Sequence, residues 1–62
     1  MALYKLQDDL ADLQRETNYA VRAVRYDLEM AYPNGRTETR QQLRELRNTL
    51  RSLANEIDKE IL

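Results

Sequence analysis

One four-residue cluster divides this chain. Tyr32-Pro33-Asn34-Gly35 contains its only proline and its only glycine. Pro33 has no amide hydrogen to give and pushes Tyr32 out of the helical region. Asn34 and Gly35 tolerate positive φ. No other strong helix breaker is present, so the sequence reads as two arms joined at one bend.

Both arms carry apolar residues at helical spacing. In the first, Leu3, Leu6, Leu10, Leu13, Thr17, Ala20, Val24, Leu28 and Ala31 recur at steps of three and four. In the second, Leu43, Leu46, Leu50, Leu53, Ile57 and Ile61 do the same. That period places one stripe on each of two helices. Thr39 followed by Gln42 reads as a capping box. The expected elements are a helix over about 2–31, a turn over 32–38 and a helix over about 39–61. At 1.5 Å per residue they measure about 43 and 34 Å. A connection this short makes the helices antiparallel neighbours. The expected fold is all-α: one antiparallel two-helix hairpin, coiled-coil-like, completing a helical bundle by oligomerisation. Folding the arms about the turn is expected to set Leu43 level with Val24 and Leu28, and Ile57 level with Leu13 and Leu10.

At 62 residues the chain is one domain. A chain of this size buries only about 60% of its unfolded surface, so its core is marginal without a staple. Cysteine and histidine are both absent. That excludes disulfides and thiol chemistry and leaves only carboxylates as metal ligands, with no loop of calcium-binding spacing. Extra stability is therefore expected from self-association or from docking on a partner. No apolar run approaches the ~18 residues of a membrane span, and Met1-Ala2-Leu3-Tyr4-Lys5 leads into no apolar signal segment. The cytoplasm is the expected compartment, and small intracellular proteins of phages and mobile elements have this build.

Ten basic residues stand against eleven acidic ones, and eight of the ten are arginines. On an idealised wheel Arg36, Arg40, Arg44, Arg47 and Arg51 fall within about 80° of one another beside the second stripe. Asp9, Asp12, Glu16 and Asp27 flank the first stripe. The opposite turning of two antiparallel helices places these rows on opposite sides of the hairpin. Arg25 joins the basic side, with Val21, Tyr32 and Ala54, and Glu56 and Glu60 join the acidic side. A near-zero net charge thus conceals a two-faced object. Arg25, Arg36, Arg40, Arg44, Arg47 and Arg51 are the candidate partner-binding residues of the basic face. The bland reading of that row is a solvated helix surface, since exposed ion pairs contribute only about 0–1 kcal/mol. A second candidate surface, for a partner or for self-association, is the stripe Arg15, Tyr19, Arg22 and Tyr26 on the back of the first arm. Tyrosine and arginine are the residue types that anchor interfaces.

No catalytic site is expected. Acid–base chemistry needs a carboxylate in a dry cleft, which two helices cannot enclose. Ser52 has no base beside it, and no glycine-rich loop is available for phosphates. No cofactor, metal, small-molecule substrate or membrane partner is expected either. The favoured reading is a non-catalytic interaction module that self-associates and docks on a larger protein, as an assembly factor, adaptor or inhibitor. The alternative is a nucleic-acid-binding hairpin oligomer that uses its arginine-rich face, where five arginines at helical spacing would track phosphates.

Overall fold

The computed structural model describes residues 2–62, with side chains from Leu3 onward. All of its regular structure is helical. Helix α1 spans Ala2–Glu29 and helix α2 spans Thr37–Glu56, followed by one π-helical turn, Ile57–Ile61. The helices pack against each other as an antiparallel hairpin about 45 Å long and 15 Å wide.

The bend comes two residues earlier than the periodicity implied. α1 stops at Glu29 because Ala31 takes a left-handed conformation, with φ of 62°. The Ala31 amide donates to the Leu28 carbonyl and the Tyr32 amide to the Asp27 carbonyl, at 3.3 and 2.7 Å. This crossed pair is the Schellman arrangement that satisfies the last carbonyls of a helix. Pro33 follows directly, where it can no longer continue the helix. The Gly35 amide closes the next turn onto the Tyr32 carbonyl at 3.0 Å. Gly35 has φ of +83°, and a Cβ there would make only ordinary contacts, so backbone conformation rather than space calls for glycine.

α2 begins at Thr37, two residues before the expected start, and the capping box does not form. Arg36 occupies the N-cap and makes no side-chain cap bond. Asp27 serves instead: its Oδ2 accepts from the Arg36 amide at 2.9 Å. Thr39, assigned by sequence to the cap, lies inside the first turn and is buried.

The packed line also differs from the expected stripe. On α1 the covered positions are Leu6, Asp9, Leu13, Glu16, Ala20, Ala23 and Asp27; on α2 they are Thr39, Gln42, Leu46, Thr49, Leu53 and Glu56. Each helix is thus rotated away from its apolar stripe. Leu6, Leu13, Ala20, Leu46 and Leu53 remain inside, while Leu3, Leu10, Val24, Leu28, Leu43 and Leu50 stay exposed. Levels shift as well. Lys5 meets Glu56, Glu16 meets Thr49 and Asp27 meets Arg36, which moves Leu43 towards the level of Val21, although it still shares a hollow with Val24 and Leu28. The bend has the expected length but lies two residues nearer the start of the chain, and that displacement causes this slip.

Among the described residues the only buried apolar side chains are Ala20 and Leu53. Small residues on α1 admit the leucines of α2, but the resulting interior is thin.

An L-residue in the left-handed region costs about 1–2 kcal/mol, against about 0.5–1 kcal/mol for the extra entropy of glycine. Ala31→Gly is therefore expected to stabilise the hairpin by about 0.5–1 kcal/mol, raising the midpoint of thermal unfolding followed by circular dichroism by about 2–6 °C. An unchanged or lower midpoint would contradict the assignment of Ala31 as the helix terminator.

Candidate functional site

Two unlike grooves flank the packed line. One is lined by Asp9, Asp12, Glu16, Thr49 and Leu53. The other is lined by Thr17, Ala20, Val21, Val24, Arg25, Leu28, Leu43 and Leu46. Towards the turn this second groove continues into a hollow walled by Leu28, Tyr32, Pro33 and Leu43. Towards the chain ends the seven-residue lines Leu10–Thr17–Val24 and Leu43–Leu50–Ile57 carry it on. The result is one apolar face, open along the hairpin, with Leu28 66%, Leu50 49% and Leu43 40% exposed.

Arginines border that face. Arg25 lines the groove itself. Arg40, Arg44 and Arg47 border a shallow depression with Leu43, and Arg51 follows one turn later, exposed. Among the described residues none of Arg22, Arg25, Arg40, Arg44, Arg47 and Arg51 has a carboxylate within 4.0 Å. Asp9, Asp12 and Glu16 line the other groove, whereas Asp27 and Arg36, one from each expected row, meet at the turn.

Arg36 does not stand in this row. Its Nε donates to Asp27 Oδ1, its Nη2 reaches Thr39 Oγ1 at 3.4 Å, and its guanidinium lies 4.5 Å from the centre of the Tyr26 ring. Its position beside α1, fixed by the tight bend, commits it to the turn. Asp27, expected on the flank of the stripe, is only 2% exposed. Burial alone pushes its carboxyl up, but hydrogen bonds from Thr39 and from the Arg36 backbone and side chain outweigh that and hold it below the usual carboxylate value. The cover is a single layer of chain rather than a deep interior, as two helices require.

The Tyr/Arg stripe lies on the back of α1. Arg15 pairs with Asp12 at 3.1 Å and Tyr26 lies under Arg36, while Tyr19 and Arg22 are exposed. Two of its four members are therefore engaged within the chain. At the open end of the hairpin, Lys5 Nζ lies 2.9 Å from Glu56 Oε1 and 3.9 Å from Asp9 Oδ2. A hydrogen bond shared with Glu56 raises the Asp9 carboxyl, whereas Lys5 foremost, and then Asp9, holds Glu56 down.

The open leucines were missed because the apolar pattern assigned them to the interior. The signal that identifies them is the run of Asp9, Glu16, Ala23 and Asp27, which shares the three-and-four spacing of the packed line. Among the described residues no helix is long and apolar enough to cross a membrane. Among the described residues no cluster of acids is placed to hold a metal ion. No family model, curated protein or solved structure matches the chain.

The lowered carboxyl of Asp27 makes folding pH-dependent. A group with a depressed folded pKa contributes stability that is complete above its unfolded value, about 3.9, and is lost as pH falls through the folded value. Thermal melts between pH 7 and pH 2 are expected to show wild type losing stability below about pH 4. Asp27→Asn should start lower at pH 7 and lack that part of the acid loss. Parallel profiles for the two proteins would refute the role of this carboxylate. The raised Asp9 carboxyl acts in the opposite direction, and it cancels in the comparison because both proteins retain it.

Proposed function

We propose that this chain is a non-catalytic protein–protein interaction module that self-associates and docks on a larger protein partner. The observation supporting this reading is the open apolar face. Covering Leu10, Val21, Val24, Leu28, Leu43 and Leu50, each exposed by between a third and two thirds, recovers about 1 kcal/mol apiece, half of what full burial of such side chains contributes. That totals about 6 kcal/mol per chain, of the order of a whole small domain's stability. A patch of this kind marks an interaction site. Like-charge contacts among bordering arginines cost a few tenths of a kcal/mol each and do not reverse the balance. The border then adds selectivity, favouring partners that bring carboxylates to it.

The non-catalytic part of the reading rests on chemistry. The chain has no cysteine or histidine, and its acidic groove is an open surface rather than a dry cleft.

A nucleic-acid partner is the second reading, favoured by Arg40, Arg44 and Arg47 lying together without carboxylate partners. Apolar side chains between the arginines suit a protein surface better than a phosphate backbone. Binding to mixed RNA and DNA at two salt concentrations separates the readings, because phosphate contacts give a steep salt dependence.

The interaction reading predicts a split between two leucines three residues apart. Leu50→Asp is expected to keep the helical circular-dichroism signal while weakening self-association about 100-fold by analytical ultracentrifugation. Leu53→Asp, which places a charge in the packed line, is expected to abolish the helical fold itself. Equal loss of helix in both would mean that the open face is structural. Replacing Arg40, Arg44 and Arg47 together by Gln should leave the melting midpoint within about 2 °C, since exposed positions contribute little to folding.

A further inference from the structure

Resting on the interaction role just proposed, we infer that two copies of this chain pack open face to open face about a two-fold axis, with their turns at opposite ends. The size of the face fits. One whole side of the 45 by 15 Å hairpin presents a flat area of about 700 Å², close to the ~800 Å² per partner of a standard stable interface. Supply fits too. A chain whose own packing buries, among the described residues, only the apolar side chains Ala20 and Leu53 gains stability from any cover of its open face. A second copy is present in equal amount, and one such face covers another in the manner of a closed, self-complementary pair.

Charge selects the orientation. Lys5 beside Glu56, Glu16 beside Thr49 and Asp27 beside Arg36 set the levels along the hairpin. On that scale Arg25 is level with Arg40, and Leu10 with Ala54. Two face-to-face arrangements have two-fold symmetry. With the turns together, α1 of each copy covers α2 of the other at the same level. Each Arg25 then comes beside the partner's Arg40, with no carboxylate of the face near either.

With the turns apart, the axis crosses the hairpin near Leu50, and each helix covers its own counterpart in the opposite direction. Leu28 becomes level with the partner's Leu3, and Val21 with the partner's Leu10. Arg40 becomes level with the partner's Asp58, the acid that continues the line of Arg44 and Arg51 along the border. Arg47 does fall level with the partner's Arg51 near the axis. Both are long, exposed side chains, and such a contact shifts an equilibrium by about twofold. The two-fold axis repeats this contact once, and the two Arg40–Asp58 contacts offset the pair, whereas the turns-together arrangement has like charges and nothing to balance them.

Spin labels at Asn34→Cys, an exposed position at the tip of the turn, test the arrangement, with the mass measured on the same sample. The expected result is a two-chain mass and a label separation of about 45 Å, the length of the hairpin. A two-chain mass with a separation of about 20 Å or less, as for turns stacked one helix layer apart, overturns the orientation and leaves the interaction role standing. A one-chain mass at every concentration overturns both the pairing and the self-association on which it rests. A mass above two chains overturns the two-fold pair. As an independent check, Arg40→Asp should weaken the pair about fivefold, and adding Asp58→Arg to the same chain should restore it. A double variant that binds no better than Arg40→Asp would overturn the facing of these two positions.

Discussion

The Asp27 carboxylate governs how the two helices face each other. It sits at the end of α1, covered by the turn, and receives the Arg36 amide and guanidinium. To reach them it must point between the helices. Once Asp27 points inward, seven-residue spacing brings Ala20, Leu13 and Leu6 inward with it. Across the bend Thr39 fixes Leu46 and Leu53 in the same way. The residues one step round each helix, Leu10 and Val24 on α1 with Leu43 and Leu50 on α2, are thereby turned out to one side. One polar contact at the tip thus decides which leucines pack and which remain open. A carboxylate near the start of α2 also interacts favourably with the positive end of that helix.

The rest of the closed side follows the same logic. Positions that a purely apolar pattern would fill with leucine hold Asp9, Glu16, Gln42, Thr49 and Glu56. They are linked by Lys5 to Glu56 and by Thr49 to Glu16, the latter at 3.2 Å. These contacts are partly solvated, and each contributes little to stability. Their effect is positional: they hold the polar edge of each helix against the other and leave the apolar edge without a neighbour. The second oxygen of Glu16 is covered and makes no hydrogen bond, a sign that this side is closed more for orientation than for stability.

The hairpin itself was readable from the sequence, because Pro33 and Gly35 are its only punctuation and both arms keep one period throughout. Handedness also set Asp9, Asp12 and Glu16 apart from Arg40, Arg44 and Arg47, but the same reasoning put Asp27 and Arg36 on opposite sides, and they meet at the bend. The rotation of the helices was not. Two lines on α1 satisfy the same spacing, Leu6–Leu13–Ala20–Asp27 and Leu3–Leu10–Thr17–Val24, and hydrophobicity favours the second. The choice between them is made by a carboxylate and an arginine nine residues apart, whose meeting depends on the conformation of the bend. Arg36 was misplaced for the same reason: its spacing matches the basic row, but the bend brings it to Asp27 first. Ala31 carried no signal at all, because a helix-terminating residue in the left-handed region is usually glycine or asparagine.

The π-helical turn at Ile57–Ile61 bears on how the chain ends. Here the Leu62 amide reaches back five residues to the Ile57 carbonyl, at 2.9 Å. The wider turn holds one residue more than α-helical geometry would, and it carries Ile61 almost directly over Ile57. The direction of the side chains therefore drifts across this turn, hardly at all at Asp58 and most at Ile61. The last turn works as a mechanical slip joint: the orientation set at the bend carries through to its first residues and is lost by its end. A change of one residue in length after that point would reset the final turn and leave the packed line unaltered.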